Sequence, residues 1–432
     1  MQKTVLTKAV AVALATLGAG AAFAQSSMTI YGNIDGAVDS VHKNAGMNIL
    51  GSAAAATTVT RVSPSISSQN ALGFKGVEDI GGGYKGSFVL EGQFSTDTGA
   101  QSGQDSRMWG RQAYVGLTTP VGEVRVGRQY APIFYNFASS TVEAIGAADL
   151  MASGLVVNNL QIRQDNQVSY WLKAGDLTAA LSYSPNAGVA TRISAARAPT
   201  STSTTGQIAG GASAGDENTT GRSRSYGLYL NYALNPELSV NAGYHGNKFG
   251  EATVGYNAAS TSGPFTAGYN TLLSLDKYSG YALGAKYTIS GAGTTMGVIY
   301  HYDKFSTDTG GVEGPKVNTL ALGVKHPIDQ FAVGAEVVYS KFSNFTKGKD
   351  LGMMFAGDYN LSKRTRLYTR FGFVRDTPGS AAATDLAGAT IIGGPLPVLT
   401  TLGSTETPFF AGGSANVDAT TRVVSVGIRH SF

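Results

Sequence analysis

The last twelve residues, Thr421 to Phe432, alternate along their length. Val424, Val426, Ile428, His430 and Phe432 share one parity, while Ser425, Gly427, Arg429 and Ser431 share the other. Successive side chains on a strand point to opposite faces, so this stretch predicts a strand with one mainly apolar and one polar face. Taken alone it fits an edge strand of a soluble β-protein, or a strand standing between lipid and water. The rest of the chain separates the two.

The amino terminus reads as an export signal. Lys3 and Lys8 are followed by the apolar run Ala9 to Leu17, and Gly18 to Ala24 closes on Ala22-Phe23-Ala24 before Gln25. This is the order of a cleaved secretory signal, and the apolar run is too short for a membrane-spanning helix. The expected division is therefore residues 1–24 as a signal peptide and 25–432 as a single barrel domain. Removing 24 residues leaves 408, and the two lysines lost with them lower the formal charge from +4 to +2. So small a charge implies no global field for nucleic acid. With no cysteine, neither disulfides nor thiolate sites are available to an exported chain. A closed hydrogen-bond ladder is one other source of stability.

Short alternating runs fill the interior of the sequence, and no window has eighteen uninterrupted apolar residues. Val168, Tyr170 and Leu172 oppose Gln167, Ser169 and Lys173; Tyr281, Leu283 and Tyr287 oppose Ala282, Gly284 and Lys286; Phe331, Val333 and Tyr339 oppose Ala332, Gly334 and Glu336. The apolar rows often begin or end on Tyr or Phe, as the interfacial girdles of outer-membrane barrels do. Connections alternate in length. Turn residues such as Gly81-Gly82-Gly83, Pro120-Val121-Gly122, Ala174-Gly175 and Pro327-Ile328-Asp329 make the short ones. Low-complexity stretches near 185–223, 250–276, 305–315 and 377–419 make the long ones. One short and one long end per hairpin is the outer-membrane design, and the short turns imply about sixteen strands.

Several fragments, in order, resemble the general-diffusion porins of the Gram-negative outer membrane. They are Ile30-Tyr31-Gly32, Leu72-Gly73-Phe74-Lys75-Gly76 before Glu78-Asp79, Arg111-Gln112-Ala113-Tyr114-Val115-Gly116-Leu117, Gly127-Arg128-Gln129-Tyr130 and the closing His430-Ser431-Phe432. The resemblance spans essentially all of 28–432. It implies an all-β, 16-stranded antiparallel transmembrane barrel with an inward-folded third loop, acting as a passive, weakly anion-selective channel for small hydrophilic solutes and inorganic ions. It implies a homotrimer set among outer-membrane lipid and lipopolysaccharide. It also implies that Phe432, with Ile428 and His430 on its face, is read by the barrel-assembly machinery.

The constriction implied by the resemblance lies where the third loop, Ala131 to Gln161, meets a basic wall. The loop carries Glu143 and Asp149, and Glu143 is the expected acid, although the Pro-Glu-Phe-Gly tip common in the family is absent. Arg163 matches a family basic position seven residues before Tyr170, and parity puts it with Asp165, Gln167 and Ser169. Arg111 and Arg128 match by motif, yet parity aligns them with apolar neighbours, and Arg128 could face a second subunit instead. The family's frequent arginine two residues before Gly73 is Ala71 here, and Arg61 is a possible replacement. Lys75, Asp35 and Glu91 complete the expected constriction set. Further inward candidates are the bases Lys85, Lys286, Lys325, Arg366, Arg370 and Arg429 and the acids Asp165, Glu336 and Asp358. Each also fits a solvated wall charge paired with its neighbour.

Catalytic signals fail on context. Gly211-Ala212-Ser213-Ala214-Gly215 spells G-x-S-x-G, but in a low-complexity stretch rather than between a strand and a helix. The five histidines show no i,i+4 zinc pair, and no basic run interleaves with aromatics for nucleic acid. No enzyme, cofactor or metal is expected. The alternatives kept open are a substrate-selective channel with a specific binding ladder, a barrel enzyme and an adhesion barrel.

Overall fold

The computed structural model describes residues 26–48, 53–102, 107–143, 146, 148–153, 162–187, 224–248, 253–258, 269–307, 314, 316–343, 348–378, 383–384, 390–391, 416–417 and 420–432. The expected signal peptide and the G-x-S-x-G stretch lie outside them.

Sixteen antiparallel strands close into one barrel. They are β1 (Ser27–Lys43), β2 in two halves (Thr57–Pro64 and Ala71–Gly81), β3 (Tyr84–Phe94), β4 (Gln112–Thr119), β5 (Gly122–Tyr130), β6 (Arg163–Ala174), β7 (Leu177–Ser184) and β8 (Arg224–Ala233). There follow β9 (Leu238–Lys248), β10 (Tyr269–Thr288), β11 (Thr295–Thr307), β12 (Lys316–Ile328), β13 (Phe331–Ser343), β14 (Gly348–Asn360), β15 (Thr365–Pro378) and β16 (Thr420–Ser431). β1 closes the ring by pairing with β16 from Asn33↔Ser431 to Lys43↔Thr421. Among the described strands the barrel sheet has no free edge, so its backbone groups pair within a closed ladder, as a lipid core requires. No described helix is long and apolar enough to cross a membrane.

The apolar rows face outward as expected. Val426 is 61% exposed and Leu283 is also 61% exposed, while Asp35 on the inner wall is fully buried. At the short-turn end, Glu237 accepts from the Ser290 N–H and hydroxyl and from the Tyr287 hydroxyl, which holds its carboxyl below the usual range. The turn expected at Pro327-Ile328-Asp329 falls one step later, at Asp329-Gln330, because β12 pairs through Pro327↔Ala332 and Ile328↔Phe331. The expected long connection at 250–276 is shorter. β10 already begins at Tyr269, and its first residues pair with an extra strand, Thr253–Ala258.

Two features set the barrel interior. First, β2 is interrupted: Thr57–Pro64 and Ala71–Gly81 both pair with β1, leaving 65–70 as an inward bulge between them. Asp35 anchors it by accepting from Ser67 N and Ser68 N at 2.9 and 2.8 Å. Second, the connection 131–162 carries helix α1 (Pro132–Ser140) and helix α2 (Leu150–Ser153). Pro132 opens α1, where its missing N–H costs nothing. The buried face of α1, Ile133 and Phe137, joins Leu150 and Met151 of α2 in one apolar cluster with the inward residues Ala282, Ile299, Ala321, Val338 and Met354. The inner wall is therefore not uniformly polar, contrary to the simple expectation. A loop folded inside must bury its own apolar face, at about 1.5–3 kcal/mol per large side chain.

Candidate functional site

The inward connection lies against glycines on six successive strands. A Cβ on Gly227 would meet Pro132 Cδ at 2.9 Å, on Gly243 Asn136 Cγ at 2.7 Å, and on Gly323 Val142 Cγ2 at 2.8 Å. A Cβ on Gly284 or Gly297 would collide with Ser140, and one on Gly334 would meet Glu143 Oε1 at 3.2 Å. Polar contacts fix the same seat. Asn136 Nδ2 donates to Asn241 Oδ1 at 3.0 Å, and Asn241 Nδ2 donates to Ser140 Oγ at 2.9 Å. The first N–H groups of α2 donate to Glu336 Oε2, that of Leu150 at 2.7 Å. Ala148 N donates to Ile66 O at 3.0 Å, joining the loop to the 65–70 bulge.

Ionised side chains gather in two groups around that junction. In the first, Arg111 binds Glu91 and Gln69, and Tyr31 Oη donates to Glu91 Oε2 at 2.7 Å. Arg163 donates to Tyr130 Oη at 3.3 Å and lies over the Tyr130 ring, 4.9 Å from its centroid. Its Nη2 also reaches Gln69 Oε1 at 3.4 Å. Lys75 stands 5.2 Å over the Tyr31 ring, at the edge of this group. In the second, Glu143 accepts from Lys325 Nζ at 2.9 Å and Arg370 Nη2 at 3.2 Å. Asp358 accepts from Lys325 at 2.9 Å, Arg370 at 2.8 Å and Arg366 at 3.2 Å. The bulge links the groups, since Ser67 Oγ accepts from Arg370 Nη2 at 3.4 Å while Gln69 holds Arg111 and Arg163.

The expected site residues thus divide. Arg163, Arg111, Glu91 and Lys75 come together. Glu143 lies in the other group, paired with Lys325 and Arg370. Asp35 sits beneath the bulge, opposite Arg429 in the β1–β16 register. Arg128 is buried in a wall cluster, donating to Gly110 O at 2.8 Å and binding Asp165, which also holds Arg107. Arg61 pairs with Asp39 at 2.9 Å. At the far end of the sheet, Phe432 and Gly32 exchange both backbone hydrogen bonds at 3.1 Å, and the Phe432 ring covers Gly32. Ile428 is half exposed on the outer face. His430 Nδ1 lies 2.8 Å from Thr365 Oγ1.

Parity misled at two places for a local reason. β4 begins at Gln112, so Arg111 lies before the alternation starts and is free of the outward Val115 and Leu117 row. In β6 the register against β5 slips between Gln164 and Gln167, and Asn166 takes φ 51°. This bulge breaks the face shared by Arg163 and Ser169. Sequence reading missed Gln69 entirely, because only the interruption of β2 brings it inward.

One asymmetry recurs in the ion pairs. Arg111 is 14% exposed against 8% for Glu91, Lys325 20% against 3% for Glu143, and Arg366 31% against 1% for Asp358. Within these two groups Arg370, at 1%, is as buried as its acid Asp358 and more buried than Glu143, and in the wall cluster Arg128 and Asp165 are equally buried at 8%. The carboxylates lie behind and the cations keep the accessible surface.

A family model described as Gram-negative porin matches residues 9–379. Outer membrane porin protein 32 of Delftia acidovorans is 29% identical over 438 residues, covering 98% of this chain and 99% of that protein. An outer membrane porin protein of Bordetella pertussis is 32% identical over 179 residues, covering 39% of this chain and 44% of that protein. Among solved structures, the anion-selective porin from Comamonas acidovorans aligns with a TM-score of 0.63 at 23% identity, covering 94% of this chain and all of that one. OmpF of Salmonella typhi aligns with a TM-score of 0.55 at 14% identity, covering 94% and 97%.

Proposed function

The chain belongs to the Gram-negative porin family and is a diffusion channel of the outer membrane, and from that premise we propose that its narrowest section is bounded by the described part of the inward connection, 131–143 and 148–153, and the 65–70 bulge and weakly favours anions. The observation that carries this reading is the asymmetry of exposure: Lys325, Arg366 and Arg111 present charge to water, while Glu143, Asp358 and Glu91 lie beneath. Charge matters to permeation only where the passage is narrow and screening water scarce. The similarly folded Comamonas acidovorans porin, anion-selective by name, supports the sign. Cations that pass are not excluded, because the carboxylates remain within ion-pair distance of every base they hold.

The remaining parts of the reading follow from the family. Residues 1–24 direct export and are removed. The barrel assembles as a homotrimer, in keeping with the trimer form of the similarly folded OmpT of Vibrio cholerae. Phe432, with Ile428 and His430, is recognised by the barrel-assembly machinery, and the outer face meets lipid and lipopolysaccharide. Purified, detergent-folded protein should give large, ohmic, long-lived steps in a planar bilayer. Well-folded protein that stays closed would defeat the channel and favour an adhesion barrel.

A further inference from the structure

On the short-turn side of the inward connection, the lumen wall turns aromatic. Trp171 on β6 has the inward parity of Ser169, and its ring N–H donates to Ser169 Oγ at 3.1 Å. The ring of Tyr135, on α1, meets Trp171 edge-on with centroids 4.7 Å apart. Tyr229 on β8 lies 5.8 Å from Tyr135 and 6.4 Å from Trp171. Tyr114 stands across β5, on β4. Between Tyr114 and Trp171 lies the guanidinium of Arg125, 5.2 and 4.8 Å from the two ring centroids. Its Nη2 binds Glu123 Oε2 at 2.7 Å. Register places these parts together: Arg125 stands opposite Gly116 on one side and Ser169 on the other, and Glu123 opposite Trp171. A Cβ on Gly116 would meet Glu123 Oε1 at 2.8 Å, so the glycine lets the ion pair lie against the wall.

This pair differs from the others in how it meets water. Arg125 and Glu123 are 21% and 20% exposed, whereas in the other described pairs the acid lies deeper or both partners are buried. The lumen therefore meets a donor and an acceptor side by side, with no net charge. An anion or a cation gains little from such a pair, since each meets its like at ion-pair distance. Two neighbouring hydroxyls fit it better. One oxygen accepts from the guanidinium while the other hydroxyl donates to the carboxylate. The rings add a second condition. Tyr114, Tyr135 and Trp171 are half-buried, and apolar surface left toward a water-filled lumen favours a solute with an apolar face. A pyranose carries both features, hydroxyls at its edge and C–H groups on its face.

We propose that Trp171, Tyr114, Arg125 and Glu123 form a retention site for neutral pyranose sugars in the short-turn mouth of the channel. The proposal rests on the channel reading above and adds a solute class to it. The sugar lays its C–H face on the accessible parts of the rings while its hydroxyls bridge Arg125 and Glu123. Tyr135 belongs to the inward connection, and the Ser139 and Tyr229 hydroxyls lie 2.6 Å apart, so the site adjoins the constriction itself. Aromatic carboxylates are the less fitting solutes, because Glu123 already holds the guanidinium and repels a second carboxylate.

The test uses the full folded chain in a planar bilayer, with maltotriose on both sides and the current noise recorded. Maltotriose should interrupt the wild-type current reversibly and saturably. Sorbitol, which has the hydroxyls without the ring, should not. Trp171→Ala should raise the half-saturating concentration about tenfold through the lost apolar contact. Glu123→Gln should raise it about fivefold through the lost charge-assisted hydrogen bond. Ion conductance without sugar reports whether the inward connection has moved. If it changes in Trp171→Ala, Glu123→Gln decides, since the described hydrogen bonds of Glu123 go to Ser87 and Arg125 on the wall. Equal half-saturation in the wild type and Glu123→Gln would overturn the proposal, as would an equal response to sorbitol. So would a stronger response to benzoate than to maltotriose, which would assign the rings to aromatic anions. A barrel that conducts ions without responding to maltotriose overturns the site alone. One whose tryptophan fluorescence changes with maltotriose but which does not conduct overturns the channel reading.

Discussion

Glu143 and Arg370, 227 residues apart in sequence, meet at 3.2 Å with both side chains almost fully buried. The contact ties the inward connection to β15 on the barrel wall. Breaking a buried pair costs about 3–5 kcal/mol when it strands a charge. Here Asp358 remains 2.8 Å from the same guanidinium, so Glu143→Gln should cost less, about 1–2 kcal/mol. It also removes one carboxylate from the passage. Reversal potentials should shift toward stronger anion preference; a shift toward cations would contradict the pairing as described.

The glycine track should be intolerant of bulk. At Gly243 the side chain of Asn136 occupies the space a Cβ would need. Gly243→Leu must displace α1 or strain the wall, at about 1–3 kcal/mol. The displaced loop should widen the passage and make its current noisier. Single-channel recording reads this directly, and an unaltered conductance would show that the loop does not depend on this seat.

Asp35 is the anchor of the 65–70 bulge, and it also accepts from Tyr368 Oη. Asp35→Ala leaves two N–H donors and a hydroxyl without that acceptor, at roughly 1–3 kcal/mol each for groups that stay dry. The expected outcome is a lower thermal midpoint together with altered conductance, because Gln69 would lose its place between Arg111 and Arg163. A midpoint within error of the wild type would remove Asp35 from this role.

Much of this architecture is legible in sequence. The outward rows at Tyr281, Phe331 and Val426 follow from parity, and the short turns follow from Gly and Pro. The site is less legible, because it forms where the alternation stops. Gln69 reaches the ionised group only because β2 breaks at 65–70, and Arg111 because it precedes its strand. Arg163 sits beyond a bulge at Asn166. Lys325 and Arg370 read as ordinary inward bases; only the folded loop brings Glu143 to them. Glycines 227 and 284 appear on the polar parity without any sign that a helix would rest on them, and Gly334 without any sign that Glu143 would.

Phe432 closes the β1–β16 seam through both of its backbone hydrogen bonds to Gly32, with its ring over that glycine. Deleting it should leave unassembled chain in the periplasm. Cell fractionation measures this, and normal outer-membrane levels of the deletion would make the residue incidental to assembly.

Anion preference requires that the cations, more than their acids, face the permeating ion. A charge about 8 Å from an ion at an effective dielectric near 20 contributes roughly 2 kcal/mol before screening, and at physiological ionic strength the Debye length is also about 8 Å. The preference should therefore be modest and fade with salt. The deciding measurement is the reversal potential across a salt gradient for the wild type, Arg163→Ala and Arg366→Ala. The expected result is anion preference in the wild type and a shift toward cations in both variants, larger for the more exposed Arg366. Cation preference in the wild type, or no shift in either variant, would contradict it.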